Sequence, residues 1–286
     1  MKIDNKPSRQ QPNDVYSALK NAEHILTGCG LRDAKSSAEI LLSFILNTSR
    51  SKLFLIRTRE LSENETAVFD DYILRRSKRE PVEYITGFCG FMGYEFYVNE
   101  NVLIPRPETE LLTEEVLKEV KPGVLDLCTG SGCIAVSLAK SGLFKKITAS
   151  DISEKALETA VKNAGLNGVQ SVEFVKSDVF ENLMDMKFDI IVSNPPYVSQ
   201  EEYERLEPEL GFEPKIALTA PDDGLFFYKK IAKQSGDYLN EGGMIFLELN
   251  ANKSGEIKKI FQDAGFKHIK IINDYAGLPR ILKAGI

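Results

Sequence analysis

The chain has 286 residues, 43% hydrophobic and 27% charged, a composition that supports a sizeable core and excludes a disordered or fibrous protein. No apolar run reaches the roughly 18 to 20 residues of a membrane span, and Met1-Lys2-Ile3-Asp4-Asn5 lacks the apolar stretch of a signal peptide, so a cytosolic chain without membrane attachment is expected. The net charge of −6 is uneven: residues 1–80 carry net +3 (14 basic, 11 acidic) and residues 81–286 net −9 (22 basic, 31 acidic), which argues against sequence-independent binding of a phosphate backbone by the larger part.

The first eighty residues read as helices. From Asp14, the positions Val15, Ala18, Leu19, Ala22, Ile25 and Leu26 follow helical spacing, with Gly28 and Gly30 as stop signals. Asp33 is placed to cap a second helix carrying Ala38, Ile40, Leu41, Leu42 and Ile45. Ser62 and Glu65 have the spacing of a capping box for a third, through Val68, Phe69, Tyr72 and Ile73. The basic run Arg75-Arg76-Ser77-Lys78-Arg79 is expected as a solvated helix end that suits the macrodipole, with a binding patch as the alternative. We read residues 1–80 as a helical substrate-recognition domain.

Residues 81–107 change character. Phe88, Phe91, Tyr94, Phe96 and Tyr97 around Met92-Gly93 predict a β-hairpin linker, and Ile104-Pro105-Arg106-Pro107-Glu108-Thr109-Glu110 predicts entry into a helix, with proline fixing the start and acids in the first turn. From residue 108 to 286 strands alternate with helices. The predicted strands are 124–127, 146–150, 172–175, 188–192 and 244–247, with a final pair near 268–272 and 280–283. Such alternation implies a Rossmann-like α/β domain, its mostly parallel sheet wrapped by helices and its ligands at the carboxyl ends of the strands. Four cysteines and two histidines lie scattered without metal-ligand spacing, which argues against a structural metal, a disulfide framework and histidine-based catalysis.

Asp126-Leu127-Cys128-Thr129-Gly130-Ser131-Gly132 follows the first strand of this domain. The glycines permit a sharp turn and close approach of a ligand to a helix N-terminus. Asp151, ending the second strand, is placed to accept hydrogen bonds from ribose hydroxyls. Gly130 and Gly132, followed by Ala135, also match a dinucleotide fingerprint, so NAD is an alternative. S-adenosylmethionine fits better, because Asp126 precedes the loop and could take the amino group of a methionine moiety. Asp178, after the third strand, is placed to bond an adenine amino group or to cap a helix.

The segment Ser193-Asn194-Pro195-Pro196-Tyr197 leaves the fourth strand. Proline forces the exit and holds Asn194 extended. The Asn194 amide and the Pro195 carbonyl can then act as fixed acceptors, with Tyr197 as an apolar wall or stacking face. That suits a planar substrate –NH2 group, a poor nucleophile until its protons are accepted and it is aligned with a methyl donor.

These residues carry a specific resemblance. Asn194-Pro195-Pro196-Tyr197, the loop from Asp126 to Gly132, Asp151 and the linker from Leu103 to Glu110 are similar to those of the HemK/PrmC family, the peptide chain release factor glutamine methyltransferases. So are Glu80-Pro81-Val82-Glu83-Tyr84-Ile85-Thr86-Gly87 and Glu213-Pro214-Lys215-Ile216-Ala217-Leu218. The resemblance spans all but about the first dozen residues. It implies transfer of methyl from S-adenosylmethionine, leaving S-adenosylhomocysteine, to the side-chain amide of the glutamine in the Gly-Gly-Gln motif of class 1 release factors; separately from the resemblance, a monomer is expected. It also implies cofactor contacts at Cys128, Thr129, Gly130, Ser131, Gly132, Asp151, Val179 and Asn194, and the positions of Asp126 and Asp178 beside strand ends add these two acids to the set. The substrate side comprises Asn194, Pro195, Pro196 and Tyr197, with Arg106 and Glu108 from the linker; Asn194, Pro195 and Tyr197 are the expected catalytic residues. Two positions depart from the family: Cys128 stands where glycine is common, which implies ordinary backbone dihedrals there, and Val179 stands where an aromatic can pack on adenine. The competing functions are glutamine methylation of a ribosomal protein, adenine-N6 methylation of DNA, which needs a basic reading surface, and a non-catalytic binding module.

Overall fold

The computed structural model describes residues 13–286; the Met1–Asn5 segment lies outside them. The chain forms two compact units, one ending at Thr86 and the other spanning Gly87–Ile286.

The first unit is helical: α1 (Val15–Gly28), α2 (Ala34–Ile45), α3 (Arg50–Leu53), α4 (Glu63–Ser77) and α5 (Val82–Thr86). Asp14 caps α1, its side chain accepting from the Ser17 N–H at 2.8 Å, and Ser62 and Glu65 form a reciprocal capping box at α4. The apolar stripes of α1, α2 and α4 meet in a core containing Val15, Leu26, Leu41, Leu42, Phe69 and Ile73. Two details differ from expectation. Asp33 makes no side-chain cap to α2; its carboxylate accepts instead from the Ser37 hydroxyl and from Arg76 at 3.0 Å. Arg76 is itself buried, 4% exposed, so the basic run is not simply a solvated helix end. A buried guanidinium requires a paired carboxylate and satisfied donors, and Asp33, Ser37 and the Glu80 carbonyl supply them.

The second unit begins with the hairpin β1 (Phe88–Phe91) and β2 (Tyr94–Tyr97), followed by α6 (Pro107–Leu117), β3 (Gly123–Leu127), α7 (Cys133–Ser141), β4 (Lys146–Asp151), α8 (Glu154–Leu166), β5 (Val172–Lys176) and β6 (Phe188–Ser193). Then come α9 (Gln200–Tyr203), α10 (Lys215–Leu218), α11 (Phe226–Ser235), β7 (Leu239–Glu248), α12 (Ser254–Asp263), β8 (Lys267–Asn273) and β9 (Pro279–Gly285). The expected hairpin linker is integral to this unit. Phe91 and Phe96 are fully buried in the core between the sheet, α6 and α7, and the buried Asn163 of α8 accepts from the Tyr97 N–H and donates to the Tyr97 carbonyl.

Seven strands form one sheet in the order β5-β4-β3-β6-β7-β9-β8. The first five run parallel and β9 pairs antiparallel with both β7 and β8. The central parallel strands β3 and β6 and the second half of β7 are mostly apolar and buried because helices cover both faces, whereas the edge strand β5 is only partly buried. Strand order reverses between β3 and β6, and at such a switch point the loops leaving the two carboxyl ends diverge and open a crevice. Those loops are Cys128–Gly132 and Asn194–Tyr197.

Candidate functional site

A cavity of about 210 Å³ lies at that switch point, its wall mostly apolar. Of the residues singled out in the sequence, Cys128, Thr129, Gly130, Ser131, Asp151, Asp178, Val179, Asn194, Pro196 and Arg106 line it. Asp126, Gly132, Pro195, Tyr197 and Glu108 do not.

The glycine loop turns from β3 into α7 through positive φ at Cys128 (62°), Gly130 (55°) and Gly132 (79°). The expectation of ordinary dihedrals at Cys128 is therefore overturned: the turn demands the left-handed region there, and a cysteine occupies it. The two glycines do different work. A Cβ at Gly130 would meet nothing within 4 Å, whereas one at Gly132 would lie 2.9 Å from the Ala160 Cβ. Gly130 thus gives a ligand access to the backbone, and Gly132 allows α8 to pack closely. Asp126 lies beneath the loop, fully buried. Its Oδ2 accepts from the Thr129 hydroxyl at 2.6 Å and the Ala135 N–H at 3.1 Å, while Oδ1 is buried without a hydrogen-bond partner among the described residues. Burial pushes this carboxyl up to about 7, against the lowering effect of those two donors.

Asp151 ends β4 at the cavity wall. Its Oδ2 accepts from the Gly130 N–H and its Oδ1 from the Ser153 N–H, each at 2.9 Å. Burial raises its pKa, and those N–H groups oppose the rise. Each oxygen retains a further lone pair for a ligand hydroxyl. Asp178 caps no helix. It pairs with Lys230 of α11 at 2.8 Å, a partner that the sequence did not suggest. Val179 is also at positive φ, 54°, an outlier for a β-branched residue; it is 4% exposed and belongs to the core beneath the cavity.

Beyond the glycine loop, Asn194 donates from Nδ2 to the Thr109 Oγ1 at 3.2 Å, and its Oδ1 makes no bond among the described residues. Thr109 in turn donates to the Glu248 Oε2 at 2.7 Å, and the Tyr197 hydroxyl donates to the Glu248 Oε1 at 3.3 Å. Tyr197 therefore packs against the core with its hydroxyl engaged, rather than forming a free stacking face. Gly224, at φ 81°, lets a neighbouring turn approach the Asn-Pro-Pro-Tyr loop, since a Cβ there would lie 2.3 Å from the Tyr197 carbonyl. The Val198 N–H and carbonyl bond to Leu218 and Ala220. Arg106 pairs with the buried Glu213, which also accepts the Ile104 N–H at 3.0 Å; this pins the proline-rich segment against the loop before α10.

Sequence reasoning missed the roles of Glu248, Thr109, Glu213 and Lys230. For Glu248 a signal was present. It is a carboxylate directly after the apolar run Met244–Leu247, and Leu247 pairs with Ser193, the residue before Asn194.

The family model "Methyltransferase small domain" matches residues 107–208, and "PrmC N-terminal domain" matches residues 17–87. A "Release factor glutamine methyltransferase" of Clostridium acetobutylicum is 38% identical, over 94% of this chain and 98% of that relative. The chain belongs to the release factor glutamine methyltransferase family. Members from Fusobacterium nucleatum (36% identical, covering 99% of this chain and 81% of the relative) and Koribacter versatilis (41%, covering 93% and 95%) are similar along the same length. Among solved structures, a methyltransferase from Pyrococcus furiosus superposes with a TM-score of 0.52 at 21% identity, covering 68% of this chain and 89% of that one, which shows the class I methyltransferase fold of the larger unit.

The cofactor of this family is S-adenosylmethionine, and the residues fit it. The open side of Gly130, the lone pairs of Asp151 and the mostly apolar wall suit an adenosine. The buried Asp126 Oδ1, without a partner among the described residues, lies beneath the loop and would add negative potential under a positively charged ligand only when the carboxyl is ionised.

Proposed function

We propose that the chain methylates the side-chain amide nitrogen of a glutamine in a class 1 peptide chain release factor, within its Gly-Gly-Gln motif, at the mouth of the cavity beside Asn194. The observation that carries this reading is the fixed Asn194 amide: Nδ2 is tied to Thr109, so Oδ1 remains as an oriented acceptor at the cavity wall.

An amide nitrogen is a poor nucleophile because its lone pair is delocalised into the carbonyl. Asn194 Oδ1 and the Pro195 carbonyl, which accepts no bond among the described residues, hold the two amide protons and so fix the plane of the substrate. As positive charge grows on nitrogen, both acceptor bonds strengthen, which is stabilisation confined to the transition state. S-adenosylmethionine supplies an electrophilic methyl group. Asp151 would hold the ribose, Asp178 would accept from the adenine amine, and Val179 would contribute to the apolar wall of the cofactor cavity. The two prolines keep the acceptors from relaxing, so reorganisation during the reaction is small. No group need remove a proton before attack. As the new N–C bond forms, the bond from the methyl to the sulfonium sulfur would break to leave S-adenosylhomocysteine, and the extra proton on the methylated nitrogen would pass along its acceptor bond to water.

The helical unit is read as the part that recognises the release factor, on its separate core and its basic charge. The test is to offer labelled S-adenosylmethionine with intact release factor, ribosomal protein and DNA in parallel. Label is expected in the release factor alone and lost when its motif glutamine is replaced. Preferential labelling of ribosomal protein or DNA would overturn the assignment.

A further inference from the structure

We propose that Glu248 is a positioning residue which, acting through the Thr109 hydroxyl, decides whether Asn194 presents an acceptor or a donor to the substrate amide. The inference rests on the reading of Asn194 as an acceptor and specifies what keeps it one.

An ionised carboxylate can only accept. Glu248 is 1% exposed, and its two oxygens lie against the Tyr197 and Thr109 hydroxyls. While it is ionised, Thr109 must spend its single hydrogen on Glu248. The Thr109 oxygen is then able only to accept toward Asn194, which turns Nδ2 to Thr109 and leaves Oδ1 for the substrate. Protonation of Glu248 on Oε2 reverses the chain. The carboxyl donates to Thr109, Thr109 donates to Asn194 Oδ1, and Nδ2 now faces the substrate –NH2, donor against donor. One proton, two bonds away, converts the acceptor into a repulsive group.

The surroundings poise this proton. Burial raises the Glu248 pKa from its ordinary value, opposed by Thr109, the Arg280 charge and Tyr197. Glu108, on α6, adds a raising charge. Arg280, on β9, is itself paired with Asp274 at 3.0 Å, and Tyr228 of α11 donates to the Glu248 main-chain carbonyl rather than to its carboxylate. Among the described residues, the Glu248 carboxylate therefore takes its hydrogen bonds from the two hydroxyls that border the Asn-Pro-Pro-Tyr loop.

The test is the pH profile of kcat with cofactor and release factor both saturating, so that titrations affecting cofactor binding appear in KM. The parent is expected to lose kcat on the acid side, with a midpoint shifted upward from that of an ordinary glutamate. Thr109→Val cuts the relay while preserving shape. It should lower kcat roughly tenfold or more, change the cofactor KM less than about twofold, and abolish the acid limb. Thr109→Ser should restore both rate and limb. Glu248→Gln, which cannot titrate, should also lack the limb. Persistence of the parental limb in Thr109→Val or Glu248→Gln, or parental kcat in Thr109→Val, would overturn the proposal. Asn194→Ala separates the two claims: if it is slow while Thr109→Val is fast, the relay is wrong and the acceptor stands; if it is as fast as the parent, the acceptor reading itself fails.

Discussion

Asp151 Oδ2 accepts the Gly130 N–H at 2.9 Å, so the acid at the end of one strand holds the turn that leaves its neighbour. One carboxylate therefore does two jobs, shaping the glycine loop and offering lone pairs to a ribose. Asp151→Ala should weaken S-adenosylmethionine by about 1.5 to 3 kcal/mol, the usual worth of charge-assisted hydrogen bonds. Asp151→Asn keeps one acceptor for Gly130 and should fall between the alanine variant and the parent. Calorimetry decides; equal affinity for all three proteins would remove Asp151 from the site.

Cys128 occupies the left-handed region at φ 62°, which costs an L-residue roughly 1 to 2 kcal/mol, while glycine's extra freedom in the unfolded chain costs about 0.5 to 1 kcal/mol. Backbone strain therefore outweighs the entropy that glycine would lose. Cys128→Gly should stabilise the protein by up to about 1 kcal/mol. Denaturant unfolding measures this, and a variant less stable than the parent would mean that thiol packing against the core exceeds the relief of strain.

Burial lifts the Asp126 carboxyl to about 7, so the folded chain keeps this proton to higher pH than the unfolded chain does. Its contribution to stability is present in full below the unfolded value near 4 and is lost as pH rises through about 7. Asp126→Asn should flatten that part of the stability curve, with the largest difference from the parent above pH 7. Chemical denaturation between pH 5 and 8 tests it, and identical slopes would show that Asp126 ionises in the fold as it does in water.

Much of this was legible from local signals. The Ser62 and Glu65 capping box, the turn at Met92-Gly93 and the alternation of strands after Gly123 are decided by residues close in sequence, and the structure has each of them. What was missed depends on partners far apart in the chain. Asp33 could have capped α2, but Arg76, 43 residues away, competes for its carboxylate. Arg76 read as solvated because no local pattern announces a buried guanidinium. The roles of Thr109 and Glu248 are visible only once α6 is laid beside β7, 139 residues later. The loop motifs, by contrast, drew attention to themselves because proline and glycine restrict or free the backbone wherever they occur.

Asn194 carries the last prediction, which concerns the chemical step alone. Its Oδ1 gains strength as an acceptor while charge develops on the substrate nitrogen, so Asn194→Ala should cost about 3 kcal/mol in the transition state, roughly a hundredfold in kcat. Cofactor affinity should fall much less, since the ribose and adenine contacts lie on other strands. Asn194→Asp discriminates further. It retains an oxygen for the substrate but replaces Nδ2 with a second oxygen facing Thr109, whose hydrogen is already committed to Glu248. Two acceptors then oppose each other, so the side chain is held less firmly. Activity should lie between that of the alanine variant and that of the parent. Single-turnover rates with release factor saturating, and cofactor affinities measured separately, give the comparison. An alanine variant as fast as the parent would place methyl transfer elsewhere, and an aspartate variant slower than alanine would show that acceptance of the amide protons is not what Asn194 contributes.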